Sequence, residues 1–419
     1  MVVVDGLNLL SEEERSLLEV ERLIEAVRQR SLIGVLIYEG DCQASEHLDY
    51  LADMIIELRA EEIDGPPRYF VQKLCIIKSR FQQSVLGWHQ YKIRNQTGIN
   101  VFPSTHFYVH RRGLLNERIE DSMTSLASSS ADVKSLNENS KLAHILGGYL
   151  GKPALKQGSS TVVLGARRTW KTMLTLDFLR AGSSSESHKE HCLLVSVMDN
   201  QSTITNEPRS LCELCCVKGR DKKQREDDCS KHRACYENIY LLHFRPGCIS
   251  PSEFFHHLHK RLEIGRAIGK PISRLVFWDL TQLEYRFPLI ANDRLFIPAL
   301  IDYLKHSSDP ITSVFMGAAN SELSRAASAI ADNVVFCWRD IRTCDDNGNS
   351  VGTTGFVFHV DRLEGHPESG SLFFLSESGD GHIDPVIDSD RQIEAFDYAE
   401  SMREQIWAMQ GLPAKSHSR

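Results

Sequence analysis

Short apolar runs alternate along the chain with stretches whose apolar residues recur at helical spacing. Residues 2–4 and 275–278 have the pattern of buried strands, and each run is followed directly by an aspartate. Residues 12–29 and 295–305 have the pattern of amphipathic helices. Strands that alternate with helices are typical of a mostly parallel sheet wrapped by helices, so we expect an α/β fold.

The two aspartate-bearing strands, which end at Asp5 and Asp279, each begin a similar series of elements. Both are followed by an amphipathic helix and then by an Ala-Asp pair that opens another apolar run. Each series then continues with strand-like segments, at residues 69–77 and 90–101 in the first and 355–360 and 371–375 in the second. The shared order and spacing predict an internal repeat; the alternative is the general likeness of any two α/β segments.

The two copies are unequal. The second is complete over residues 140–390, whereas the first, over residues 1–120, begins at its aspartate-bearing strand and lacks a phosphate loop. Residues 121–139, rich in Ser, Asp, Asn and Glu, are typical of a linker, and residues 391–419 are expected to form a C-terminal helix and tail. Three explanations for the short copy stay open: a true start further upstream, a second polypeptide that supplies the rest, or a remnant that closes its own gap.

Residues 165–172 nearly match a phosphate-binding loop, whose pattern is Gly, four residues, Gly-Lys-Ser/Thr. Gly165, Lys171 and Thr172 are present, with Thr169 inside the loop, but Trp170 occupies the second glycine position. Backbone must approach the phosphates closely there and take dihedrals that a side chain disfavours. Trp170 either occludes the phosphates or belongs to a rearranged loop that still admits ATP.

An aspartate at the end of a buried strand is costly unless it is paired. We therefore expect Asp279 either to hold Mg²⁺ beside ATP or to accept a hydrogen bond from Thr172.

Cysteines cluster in an insertion at residues 211–236. A Cys-x-x-Cys knuckle, a basic spacer and a second cysteine pair suit tetrahedral zinc on four thiolates. The candidate ligands are Cys212, Cys215, Cys229 and Cys235, with His232 and Cys216 in reserve. The alternative is reduced cysteines on a loop, and the basic spacer is either solvated or a contact for nucleic acid or an acidic partner.

Composition limits the remaining classes. A chain of 419 residues with 42% hydrophobic and 25% charged residues is expected to fold as about two globular domains. A net charge of −8 disfavours nucleic acid as the main partner. Because no apolar run is long enough to span a membrane and no secretory signal opens the chain, we expect a cytoplasmic protein.

Residues 142–150, with their Leu-Gly-Gly-Tyr-Leu turn, and the Gly-Ser strand at 158–164 resemble the opening of a KaiC-like domain of the RecA superfamily. Lys78 and Arg80 are similar to that family's Lys-x-Arg strand. The resemblance implies two RecA-like domains of the P-loop NTPase type, in a ring of identical subunits with nucleotide between neighbours. Lys78 and Arg80 would then reach the phosphate of the next subunit, as an arginine finger does.

The second copy departs from the family pattern. Only Arg362 remains of its Lys-x-Arg pair, and the paired glutamates that activate the attacking nucleophile are replaced by Asp199 as candidate base.

These departures leave three hypotheses. The first is a pseudo-ATPase that serves as an oligomeric scaffold with a protein partner. The second is an active ring ATPase that uses ATP and magnesium. The third is a nucleic-acid-binding relative of the recombinases.

Overall fold

The computed structural model forms two compact units, Met1–Ser104 and Thr105–Arg419. It describes residues 1–6, 17–39, 50–63, 69–80, 82–85, 87–95, 98–105, 107–108, 141–147, 155–166, 169–183, 190–197, 238–245, 247, 249–307, 309–341, 354–363, 372–376 and 383–385. The linker predicted at 121–139, the insertion at 211–236 and the tail at 391–419 lie outside these residues. Each unit is described separately.

Unit 1 contains two small sheets. In the first, β1 (Val2–Val4) and β2 (Gly34–Leu36) pair in parallel and are connected through helix α1 (Leu17–Gln29). The second is an antiparallel sheet of four strands in chain order, which are β3 (Met54–Ile63), β4 (Tyr69–Ser79), β5 (His89–Arg94) and β6 (Gly98–Phe102). The segment 90–101, which the sequence pattern treats as one run, is a hairpin of β5 and β6.

Unit 2 is built around one sheet of nine described strands. They are β7 (Ser160–Gly165), β8 (His191–Ser196), β9 (Ile239–His243), β10 (Ile272–Trp278), β11 (Thr312–Gly317), β12 (Asn333–Ile341), β13 (Thr354–Arg362), β14 (Leu372–Ser376) and β15 (Ile383–Pro385). The described helices of the unit are α2 (Lys141–Gly147), α3 (Lys171–Ser183), α4 (Pro251–Ala267), α5 (Leu280–Arg286), α6 (Pro288–Ala291), α7 (Phe296–Lys305) and α8 (Glu322–Ile330). Of the helices that the structure describes, none is long and apolar enough to cross a membrane.

The strand order of unit 2 is β15-β14-β13-β12-β7-β11-β10-β8-β9. The six strands from β12 to β9 are parallel to their neighbours, and β13, β14 and β15 extend the sheet as antiparallel strands. Strand β7 lies between β11 and β12, and all six of its residues are buried. The α/β fold with a mostly parallel sheet is therefore confirmed for this unit.

Two hydrophobic clusters cover the two faces of this sheet. Val162 belongs to the first, with the aromatic side chains of Phe254 and Phe277. Its neighbour Val163 belongs to the second, with Phe178. Because successive side chains of a strand point to opposite faces, a strand that feeds both clusters must be buried on both sides.

The strand order of unit 1 is similar to part of the strand order of unit 2. The parallel pair β1–β2 matches β10–β11, and the antiparallel strands β3–β6 match β12–β15. In unit 2, β7 joins the two sets into one sheet. In the described part of unit 1, no strand lies between β2 and β3, so its two sets form separate sheets.

Candidate phosphate-loop site

The loop between β7 and α3 has the strand–loop–helix order expected from the sequence. Strand β7 ends at Gly165 and helix α3 begins at Lys171. A Cβ atom at Gly165 would lie 2.4 Å from the carbonyl oxygen of Cys337 and 2.6 Å from Thr169 Oγ1. Only glycine fits there, since the neighbouring strand approaches so closely.

The Lys171 side chain is buried at the carboxyl-terminal end of β7, with 6% of the residue exposed. Its ammonium donates to the carbonyl oxygen of Gly165 at 2.7 Å and to that of Gly317 at 3.0 Å. These carbonyls end two neighbouring parallel strands, β7 and β11. The amine that sequence analysis assigns to a phosphate is thus bonded to the backbone of the protein itself.

Trp170 adopts the left-handed backbone conformation that the second glycine of the pattern would favour, with φ at +66°. Its ring lies 6.3 Å from that of Phe356 between centroids, and it packs half-buried against the second hydrophobic cluster. A side chain in this conformation costs on the order of 1–3 kcal/mol, which surrounding packing must offset. The backbone at residue 170 therefore keeps the left-handed conformation expected of the glycine, although an indole side chain occupies that position.

The two loop threonines have partners within the protein. Thr169 Oγ1 donates to the carbonyl oxygen of Ala166 at 2.8 Å, and Thr169 is buried. Thr172 Oγ1 is 3.7 Å from the sulfur of Met316 on β11, a weak contact. Neither contact involves a carboxylate.

Asp279 caps a helix. Its Oδ1 accepts from the backbone N–H of Thr281 at 3.1 Å and of Gln282 at 3.4 Å, at the start of α5. The residue has φ at +67°, which turns the chain sharply from β10 into α5. These hydrogen bonds of Asp279 are therefore those of an N-cap, made through Oδ1.

The end of β11 is tied to α5 by further hydrogen bonds. Thr281 Oγ1 accepts from the backbone N–H of Ala318 at 2.8 Å. Glu284 Oε2 accepts from Ser321 Oγ at 2.6 Å and from the N–H of Leu323 at 3.1 Å. Three donors that follow β11, the N–H groups of Ala318 and Leu323 and the hydroxyl of Ser321, are thus bonded to side chains of α5. Sequence analysis did not identify Thr281 or Glu284, because no motif surrounds them.

Burial around Lys171 also affects a thiol. Cys337 on β12 is fully buried, and this burial raises its pKa well above the usual range, although the positive charge of Lys171 acts in the opposite direction. Burial thus favours the protonated form of the Cys337 thiol.

The cofactor expectation, of ATP with magnesium and of zinc, is corrected by the structure. Across the residues it describes, no group of three or more His, Cys, Asp and Glu side chains is arranged to hold a metal ion. The physical reason at the phosphate loop is that Asp279 caps α5, Thr172 contacts Met316, and Lys171 is held by two carbonyls. The candidate base Asp199 and the four candidate zinc ligands Cys212, Cys215, Cys229 and Cys235 lie outside the described residues.

The candidate trans cations are engaged within their own units. Lys78 Nζ and Arg80 Nη2 donate to the carbonyl oxygen of Tyr50 at 3.2 and 2.7 Å. Arg362 donates to the carbonyl oxygens of Ser328 and Ala329, in the last turn of α8. Arg362 therefore satisfies helix-end carbonyls that lack partners within the helix.

Comparison with known proteins adds no relationship: no protein-family model and no curated protein matches this chain.

Proposed function

We propose that this chain is an interaction scaffold with the framework of a KaiC-like, RecA-type ATPase, in which the phosphate loop is closed by the chain's own groups. The observation that carries the proposal is the position of Lys171, whose buried ammonium bonds the carbonyls of Gly165 and Gly317. The central position of β7, buried on both faces, supports the RecA-type framework.

The closure has an energetic cost for any entering anion. A phosphate that engaged Lys171 would leave the carbonyl oxygens of Gly165 and Gly317 without their donor. A buried polar group that loses its partner costs roughly 1–3 kcal/mol. The same anion would also face these two carbonyl dipoles, which are oriented to stabilise a cation.

The surrounding groups support the same conclusion. Asp279 and Thr281 are used to join β10 and β11 to α5. Asp279, the candidate magnesium ligand, is therefore engaged in the turn from β10 into α5. The fold is kept while the side chains of the phosphate loop are bonded within the protein. Such a fold is suited to bind other subunits and proteins through its surface.

The test compares phosphate release and assembly in the full chain, in Lys171→Ala and in the surface control Lys260→Ala. We expect the three proteins to release phosphate from ATP at the same background rate. We also expect the native mass of the wild-type assembly, measured by sedimentation, to be the same with and without ATP. Release that Lys171→Ala abolishes and Lys260→Ala leaves intact would contradict the proposal, as would a wild-type protein that stays monomeric.

A further inference from the structure

The covalent connection between the two units runs through residues 104–108. Unit 1 ends at Ser104, and unit 2 begins at Thr105. The backbone N–H of Ser104 bonds to a histidine of unit 1, and the side chain of Tyr108 bonds to a histidine of unit 2. Each end of this short segment is thus held by an imidazole ring.

His89, the first residue of β5, holds the unit 1 end of the segment. Its Nδ1 accepts from the backbone N–H of Ser104 at 2.9 Å, and its Nε2 donates to the carbonyl oxygen of Val85 at 3.0 Å. A backbone N–H only donates and a carbonyl only accepts, so both contacts require the neutral ring with its proton on Nε2. His89 is buried, and its cross-strand partner on β4 is the apolar Leu74. A second proton would have to bind at Nδ1, and it would abolish the bond to Ser104.

Tyr108 holds the unit 2 end of the segment in an aromatic pocket. Its buried ring stacks on Phe255 of α4 at 5.8 Å between centroids and lies edge to face with Tyr303 of α7 at 6.3 Å. The Tyr108 hydroxyl lies 3.3 Å from Nδ1 of His256 on α4. His259, also on α4, lies 5.4 Å from the Tyr108 ring and bonds the Tyr303 hydroxyl through Nδ1 at 2.6 Å. A tyrosine hydroxyl can donate or accept, so the effect of acid at this end depends on the cost of a buried charge.

The surroundings of His256 disfavour its protonation while the segment is docked. Burial lowers the pKa of His256, the neighbouring His257 and Lys260 lower it further, and Glu253 acts in the opposite direction. The part of this burial that Tyr108 supplies is lost when the segment leaves, so the released ring takes up a proton more readily. Docking is therefore favoured above the ordinary imidazole pKa of about 6.5 and is weakened as the pH falls below it.

We propose that residues 104–108 form a pH-sensitive connection between the two units, which is docked while His89 and His256 are neutral and released when acid protonates them. At His89 the added proton removes the acceptor that the Ser104 N–H uses. At His256 it places a charge in a half-buried position beside Tyr108. Because histidine changes its charge between about pH 5 and pH 8, the transition is expected in that range. Neither histidine belongs to the phosphate loop, so the inference goes beyond the proposed function and does not rest on it.

Amide hydrogen exchange of the full-length protein measures the release. Peptides that cover residues 103–108 are followed between about pH 5 and pH 8, and each exchange rate is divided by the intrinsic rate of the same unfolded peptide at that pH. We expect the resulting protection factor to fall about tenfold from the upper to the lower pH, an effect of the size of one net hydrogen bond. The central strands at residues 160–165 and 272–278 serve as an internal reference and are expected to keep their protection.

Asparagine substitutions test the two rings, because an asparagine carbonyl can replace Nδ1 as acceptor and does not titrate. We expect His89→Asn and His256→Asn each to reduce the fall in protection with acid, and the double variant to abolish it. His306→Asn is the control. His306 follows α7 and has an exposed ring that contacts Asp302, so the control is expected to keep the pH dependence of the wild type.

Three results would overturn the proposal: a protection factor of residues 103–108 that is independent of pH in the wild type, an unchanged pH dependence in the double variant, or its loss in His306→Asn. The wild-type titration uses no substitution, so it stays decisive if a variant fails to fold. Saturable binding of Mg-ATP by the same sample would contradict the closed phosphate loop and leave the pH-sensitive connection standing, which keeps the two failures distinguishable.

Discussion

The ammonium of Lys171 joins the ends of two neighbouring parallel strands, because it donates to Gly165 on β7 and to Gly317 on β11. In this position the lysine connects the carboxyl-terminal ends of β7 and β11. Under the proposed function its role is structural, and we expect substitutions to be detected first in stability.

Replacing Lys171 by methionine keeps the aliphatic stem and removes the donor. We expect Lys171→Met to lower the free energy of unfolding by about 1–3 kcal/mol, because the two strand-end carbonyls stay buried without a partner. Denaturant unfolding measures this difference. Lys260→Met on the exposed side of α4 is the control, expected to change stability by less than about 0.5 kcal/mol. Equal stability of both variants would exclude the structural role.

The conformation of Trp170 is tested by comparing two small replacements. Trp170→Gly and Trp170→Ala both remove the indole and its contact with Phe356, so their loss of packing is nearly the same. They differ in that alanine must still adopt φ near +66°. We therefore expect the glycine variant to be more stable than the alanine variant by about 1 kcal/mol. An alanine variant at least as stable as the glycine variant would mean that the loop is not left-handed at residue 170.

Asp332 should make the free energy of unfolding depend on pH in the acid range. Burial alone would raise the pKa of Asp332, but hydrogen bonds from Lys305 and Ser160 outweigh it, and the net pKa lies below the usual value. A carboxyl whose pKa is lowered by folding stabilises the protein above its unfolded pKa of about 3.9, and this contribution is lost as the pH falls further. We expect the free energy of unfolding to fall less steeply below about pH 4 in Asp332→Asn than in the wild type.

Unfolding curves at several pH values between neutral and strongly acid measure this slope. Asp309→Asn provides the control, since its side chain is 57% exposed in its pair with Arg266. If the free energy of unfolding has the same pH dependence in Asp332→Asn as in the wild type, the Asp332 carboxylate is not the cause of that dependence.

Arg362 is expected to stabilise the end of α8. Arg362→Met removes the donors to the carbonyls of Ser328 and Ala329, and we expect a loss of about 1 kcal/mol in the free energy of unfolding. The exposed Arg294 provides the matched control Arg294→Met. A variant that keeps full stability but loses assembly would instead favour the contact across subunits.

The elements were predictable where the signal is local. Runs of apolar residues predicted β1, β7 and β10, which the structure contains, and the aspartates before β3 and β12 were part of the predicted repeat. Asp279 shows that one local signal can indicate two roles: an aspartate directly before a helix is a common N-cap, and the motif around Thr172 suggested a metal ligand.

The hydrogen bonds of Lys171 were not predictable from the sequence. Lys171 and Gly317 are 146 positions apart in the chain, and only the order of strands in the sheet brings them together. The same holds for Asp332 and Ser160, which are 172 positions apart. Such contacts depend on which strands become neighbours, and no spacing in the sequence encodes that.

The most direct test of the closed phosphate loop is calorimetric titration of the full-length protein with Mg-ATP. The account predicts no saturable heat for the wild type and the same result for Lys171→Met. Micromolar binding by the wild type that Lys171→Met abolishes would contradict it, because the lysine would then prefer a phosphate to the carbonyls of Gly165 and Gly317.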